Sequence, residues 1–131
     1  VYYGARAEEA EFTLLLQAAA MRAHEAVRAR RQAMGANGTV ATTLTLYMGV
    51  WPTYYLLQVG DSRYYQYRNG RLSLVTRDQT VAQELVDQGV LSAEAATKTK
   101  LAHVLSSSIG GDEAAPVVTR LDSEGGIAHL M

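Results

Sequence analysis

Between Glu8 and Met34 the apolar residues Phe12, Leu15, Leu16, Ala19, Ala23, Ala26 and Val27 recur at three- and four-residue steps. That spacing lays one apolar stripe along a helix and predicts a single long helix over 8–34. Glu8, Glu9 and Glu11 fall in its first turns and Arg28, Arg30 and Arg31 in its last, the charge order that favours the helix dipole. Gly35 follows, where a left-handed cap residue is wanted. From Thr39 the period changes to two. Val40, Thr42, Leu44, Leu46 and Met48 alternate with their neighbours and predict a strand with one apolar face. Gly49-Val50-Trp51-Pro52-Thr53 reads as a turn and Tyr54 to Val59 as the next strand. Arg63 to Tyr67 and Leu72 to Val75 flank Arg68-Asn69-Gly70-Arg71, and Asn-Gly is a strong signal for a two-residue hairpin. Four successive antiparallel strands are therefore expected as a meander over 39–75.

After Val75 the pattern becomes helical again. Val81 to Gln88 predicts a short helix with Asp78 or Thr80 as its cap, ended by Gly89. Ser92 can cap a second one through Ala93-Glu94-Ala95. From Lys98 to Gly111 the apolar Leu101, Val104, Leu105 and Ile109 are interrupted by Ser106-Ser107-Ser108, so no single element is predicted. Pro116 to Leu121 reads as a strand, Asp122 to Gly126 as a turn, and the last residues as the start of another strand, giving C-terminal strands over 116–131. The class is α+β, with antiparallel sheets flanked by helices.

Composition narrows the function more than the fold. The chain has 131 residues, one domain's worth, with a net charge of −1. Neither a nucleic-acid footprint nor a polybasic membrane patch is present, and no apolar run approaches the roughly 18 residues of a membrane span. There is no cysteine, which rules out thiolate chemistry and fits the cytoplasm, the expected location. Val1-Tyr2-Tyr3 at one end and Gly126-Ile127-Ala128-His129-Leu130-Met131 at the other read as cuts from something longer.

The candidate chemistry centres on Leu57-Gln58-Val59-Gly60-Asp61-Ser62-Arg63-Tyr64-Tyr65, where one carboxylate stands at a tight bend between two strands. Asp61 could hold a hard cation, or it could bond the corner's own amides in an Asx-type turn. Arg63 could pair with it or face solvent. His24, His103 and His129 have no metal-ligand spacing, and the three serines lack an adjacent base. Gly110-Gly111 and Gly125-Gly126 read as turns, the arginine cluster as a solvated helix end, and the eight tyrosines as sheet packing.

Read in order, several segments resemble the metal-dependent Ser/Thr protein phosphatases of type 2C. Gly38-Thr39-Val40-Ala41-Thr42-Thr43-Leu44 is similar to the family's Gly-(small)-Thr-Thr strand, and Val59-Gly60-Asp61-Ser62-Arg63 to its Gly-Asp-Ser-Arg motif. Leu74-Val75-Thr76-Arg77-Asp78-Gln79-Thr80 resembles the Leu-Thr-x-Asp-His/Asp-Ser/Thr segment, with Gln79 where His or Asp is usual. Glu84 to Ala95 resembles the Glu-Leu-x-x-x-Gly-x-Ile-x-x-Glu-Glu-Ala stretch.

The resemblance implies an α-β-β-α sandwich, here incomplete, with a flap-like helical segment over 79–111. It implies a pair of Mn²⁺ or Mg²⁺ ions in the parent domain, whose bound water hydrolyses phosphoserine or phosphothreonine in a phosphoprotein substrate. Asp61 matches the position of a weaker third metal, the one metal-type ligand that the resemblance transfers; no catalytic residue transfers. The chain is therefore expected to be the middle portion of a phosphatase domain from a bacterial signalling protein, inactive by itself and holding little or no metal. The alternative is a pseudophosphatase-type regulatory or protein-binding scaffold, towards which Gln79 and the serine run point. Partners are expected to be a phosphoprotein and a second copy of the chain, joined through sheet edges or swapped ends at Tyr2-Tyr3 and 127–131; neither nucleic acid nor membrane is expected.

Overall fold

The computed structural model describes residues 9–35, 40–122 and 128–130. Glu8, Gly38-Thr39, Tyr2-Tyr3, the turn residues after Asp122, and Met131 lie outside the described residues. Helix α1 spans Glu9–Ala33, and Gly35 follows it with φ 59°. The strands are β1 (Leu44–Val50), β2 (Thr53–Val59), β3 (Tyr65–Arg68), β4 (Arg71–Leu74), β5 (Val117–Asp122) and β6 (Ala128–Leu130). Between β4 and β5 lie α2 (Val81–Asp87), α3 (Ala93–Lys98) and a 3-10 helix at Lys100–His103. Thr80 caps α2 by accepting from the Gln83 amide, and Ser92 caps α3 by accepting from Ala95.

The four strands expected as one meander form two hairpins in two different sheets. The first sheet has the order β1-β2-β5 and the second β4-β3-β6, all antiparallel. The reason is local. Trp51-Pro52 and Asn69-Gly70 are two-residue turns that force the flanking strands to pair, with Val50 opposite Thr53 and Arg68 opposite Arg71. The longer connection between β2 and β3 contains Gly60 at φ 105°, which turns the chain out of the first sheet and into the second. The vacated edge of β2 is taken by β5, with Leu57 opposite Val118. The first strand is also shorter than expected. Thr42 leaves it to make an isolated bridge with Ile109, through two amide bonds of 3.0 and 2.8 Å.

Three layers result: α1, the first sheet, and the second sheet. On β2, Tyr55, Leu57 and Val59 point to α1, and Leu56 and Gln58 to the second sheet; all five are buried. Ala20, Leu57, Val59 and Ile109 form the core, with Leu16, Ala23, Val27, Leu44, Ala114 and Val118 packed around them. Phe12 meets the Tyr55 ring at 5.6 Å. The helix is rotated from its expected stripe. Leu15, Ala19 and Ala26 are exposed, while Ala20 and His24 are buried, so the inward line follows Phe12, Leu16, Ala20 and His24 at four-residue steps. Histidine fits there because its Nδ1 accepts the Gly110 amide at 2.9 Å, a packed role and not a ligand's. Between the sheets Tyr47 stacks on Tyr64 at 6.1 Å and on Tyr54 at 5.1 Å, in line with tyrosines that pack sheets.

Asn69 at φ 52° and Gly70 at φ 75° give the β3–β4 turn the two left-handed residues that a type I′ hairpin requires. Gly70→Val is expected to lower stability by about 1 kcal/mol or more, because a β-branched residue is strained at that φ. The urea midpoint of the variant checks this against the parent chain.

Candidate functional site

The bend between the two sheets is held from three sides. At φ 105°, Gly60 leaves no room for a side chain, since a Cβ would overlap Thr43. Its amide donates to Gln79 Oε1 at 2.7 Å, and its carbonyl accepts from the Gln79 amide at 3.2 Å and from Gln58 Nε2 at 3.0 Å. Gln58 Nε2 also reaches the Arg77 carbonyl at 2.6 Å. Thr43 and Ser62 share a hydroxyl bond of 2.8 Å. Gln79, which departs from the usual His or Asp, has a second task. Its Nε2 donates to the Ala115 carbonyl at 2.8 Å and its own carbonyl accepts the Ser106 amide at 3.0 Å. It thereby ties the bend to both ends of the segment that precedes β5. The serine run is structural for the same reason: Ser107 is buried, and its Oγ accepts the Ala115 amide at 2.9 Å.

Arg63 does not pair with Asp61. It forms a two-pronged bond to Asp78, Nε to Oδ1 at 3.1 Å and Nη2 to Oδ2 at 2.8 Å. That bond holds the guanidinium further above its ordinary pKa, so it is charged at any working pH. The pair is partly exposed and contributes at most about 1 kcal/mol to stability. Asp61 itself bonds no backbone amide of the corner and no cation among the described residues, so the Asx-type turn is not formed. Its half-buried carboxylate lines a cavity of about 410 Å³ together with Arg63, Asp78, His103, Ala82 and Ala96. The cavity lies between the bend and the α2–α3 segment. Arg63 and Asp78 neutralise each other there, which leaves Asp61 as the uncompensated carboxylate among the described lining residues.

His103 reaches this cavity, which the spacing of histidines along the chain did not show, because the 3-10 helix that carries it was not predicted. His24 is far from it in the core. Among the described residues, no group of three or more His, Asp or Glu side chains could hold a metal ion. A pair of hard cations, each wanting roughly six oxygens, does not fit the residues described here.

No family model matches the chain. By sequence it is 32% identical over 92 residues to the serine/threonine protein phosphatase PstP of Mycobacterium tuberculosis, a stretch covering 70% of this chain and 18% of that protein. By structure it superposes on the crystal structure of PstP/Ppp from M. tuberculosis with a TM-score of 0.79 and 27% identity, covering 93% of this chain and 52% of that one. The PPM Ser-Thr phosphatase MsPP of Mycobacterium smegmatis, solved with cacodylate, gives a TM-score of 0.68 and 30% identity over 88% of this chain and 50% of its own. The chain belongs to the metal-dependent Ser/Thr protein phosphatase family of type 2C. It spans about half the length of these solved type-2C chains. A further structure, the PstP catalytic domain with two manganese ions, matches 81% of this chain at a TM-score of 0.65 and 29% identity, and covers 44% of that chain. The antiparallel sheets and the outer helix are the architecture expected from the type-2C resemblance.

Two outcomes follow from this geometry. Gln79→Ala is expected to lower stability by about 2 kcal/mol, since it strips the buried Gly60 amide of its acceptor and frees the Ala115 carbonyl. Urea denaturation measures it, and Gln79→Glu, which keeps the Oε acceptor, should lose less. The segment from Val81 to Ser108 should exchange amide hydrogens faster than β2, because neither α3 nor the 3-10 helix has a buried residue. Hydrogen-exchange mass spectrometry compares the two directly.

Proposed function

We propose that this chain supplies the bend, the flap and the helix-backed sheet of a type-2C phosphatase that acts on phosphoserine and phosphothreonine in proteins, and that it has no turnover by itself. The observation that carries this reading is Asp61: an uncompensated carboxylate, fixed by Gly60 and Gln79 at the wall of a cavity beneath a helical flap. A carboxylate so placed can attract a divalent cation to its oxygens and to cavity water, in the manner of a weak third-metal position. Nothing further among the described residues supplies the oxygens that the two manganese ions of the PstP catalytic domain would require. The substrate class is taken from the relatives' activity. Their substrates are serine/threonine phosphoproteins, and the chain's own part is to shape the approach to the reaction centre.

A regulatory scaffold of pseudophosphatase type is the second reading. Gln79 favours it, because a residue at a position usual for His or Asp is committed here to holding loops together.

The chain is also read as self-associating through its sheets. Among the described residues β1, β5, β4 and β6 are sheet edges, and Tyr67, Leu72 and Leu74 expose the outer face of the second sheet. In the terminal segment expected to be exchanged between copies, β6 pairs with β3, the contact an exchanged strand would also make. Association is therefore assigned to the sheet edges, that outer face or exchanged ends.

The purified chain should show no Mn²⁺-dependent hydrolysis of p-nitrophenyl phosphate or of a phosphopeptide above a blank. Calorimetry should find Mn²⁺ binding no tighter than about millimolar, lost in Asp61→Ala, as a lone carboxylate with water ligands dictates. Turnover abolished by Asp61→Ala would overturn the proposal, as would tight binding of two Mn²⁺. Light scattering tests the assembly: a monomer at all concentrations contradicts it.

A further inference from the structure

At the hairpin end of β3, away from the Gly60–Asp61 bend, the structure holds a second polar cavity. It measures about 330 Å³ and is lined by Gln66, Arg68, Asn69, Arg71 and Ser73. The register explains how they meet. Gln66 lies opposite Ser73 and Arg68 opposite Arg71, so all four share one face of the β3–β4 hairpin. That is the inner face, the one from which Tyr64 meets Tyr47 and Arg68 Nη2 donates to the Asp122 carbonyl at 3.0 Å.

Two features of this cavity are costly as they stand. Like charges directly opposite on paired strands repel, and Arg68 and Arg71 are such a pair. The Nε of Arg68 is buried and finds no acceptor among the described residues. An unmet charged donor of this kind is expensive. Among the described residues no carboxylate lines the cavity. The nearby Asp122 offers Arg68 only its backbone carbonyl, and its side chain is bonded to Arg120 at 3.5 Å.

The geometry points to an anion site at Arg68 and Arg71 that takes a phosphoryl oxyanion. Two guanidinium groups match the charge of about −1.5 to −2 that a phosphate ester carries at neutral pH, whereas a carboxylate would leave one of them unopposed. Guanidinium forks give paired, charge-assisted bonds to phosphate oxygens, and Gln66, Asn69 and Ser73 add neutral donors. The cavity has room for the group with some of its water. The site is independent of the Asp61 cavity and of any turnover, so its test does not depend on the proposed function.

The test is a titration of the ¹⁵N-labelled chain with inorganic phosphate and, separately, with a phosphoserine peptide and its unphosphorylated counterpart, all at matched ionic strength in chloride. The expected result is saturable shifts centred on the amides of Gln66, Arg68, Asn69, Arg71 and Ser73. Arg71→Gln should weaken binding at least tenfold, while Arg28→Gln on α1 leaves it unchanged. Arg71 is exposed, so the variant keeps its fold, and the dispersion of its spectrum verifies this. Tighter binding of the phosphopeptide than of free phosphate identifies a protein-borne phosphoryl group as the ligand, and equal affinities identify the free ion. Shifts that do not saturate, that chloride alone reproduces, that survive Arg71→Gln, or that centre on Asp61 overturn the proposal.

Discussion

Everything in this chain is arranged around the burial of β2 on both faces. Tyr55, Leu57 and Val59 need the α1 side covered, and Leu56 and Gln58 need the second sheet. Each fully buried aliphatic side chain is worth about 1.5–3 kcal/mol, so a strand that loses either cover loses most of its reason to be there. The strand also carries one polar residue inward, Gln58. A buried amide must be bonded, and it finds the carbonyls of Gly60 and Arg77. The bend that positions Asp61 is therefore fixed by the core itself, as the place where an inward glutamine meets its acceptors.

This coupling gives the bend its defined shape. The bend, Gln79 and the loop ends at Ser106 and Ala115 form one hydrogen-bonded unit, and the α2–α3 segment hangs from it. Its shape is built from backbone groups and two glutamines, which need no metal to hold it. The manganese pair of the PstP catalytic domain belongs to a chain about twice as long, of which this one matches 44%.

From the bend to the β3–β4 hairpin the chemistry changes. Near the bend stand Asp61 and the self-neutralised Arg63–Asp78 pair, in the middle the stacked rings of Tyr64 and Tyr47, and at the hairpin Arg68 and Arg71, which face no carboxylate among the described residues lining their cavity. Asp61 thus stands in the bend before β3 and the two arginines at its hairpin end, with the Tyr47–Tyr64 ring contact between them. A cation and an anion can be attracted to the same sheet without neutralising each other's sites.

Local signals in the sequence determined the local structure. The three- and four-residue apolar steps gave α1, Asn69-Gly70 gave a type I′ hairpin, and Ser92 gave the start of α3, with that of α2 narrowed to Asp78 or Thr80, because each depends on neighbours within a few residues. The ordered motifs around Gly60-Asp61-Ser62-Arg63 were enough to point to the family. Tertiary structure alone decided the rest. Whether β2 pairs with β3 or β5 depends on covering two faces at once, which alternation along one strand does not encode. The rotation of α1 that buries His24 follows from the Gly110 amide, 86 residues away. The partner of Arg63 was equally invisible: Asp61 is two positions away and Asp78 fifteen, yet the hairpin brings Asp78 alongside. Long-range contacts of this kind are set by the packing of whole layers, and a residue's sequence neighbours carry no trace of them.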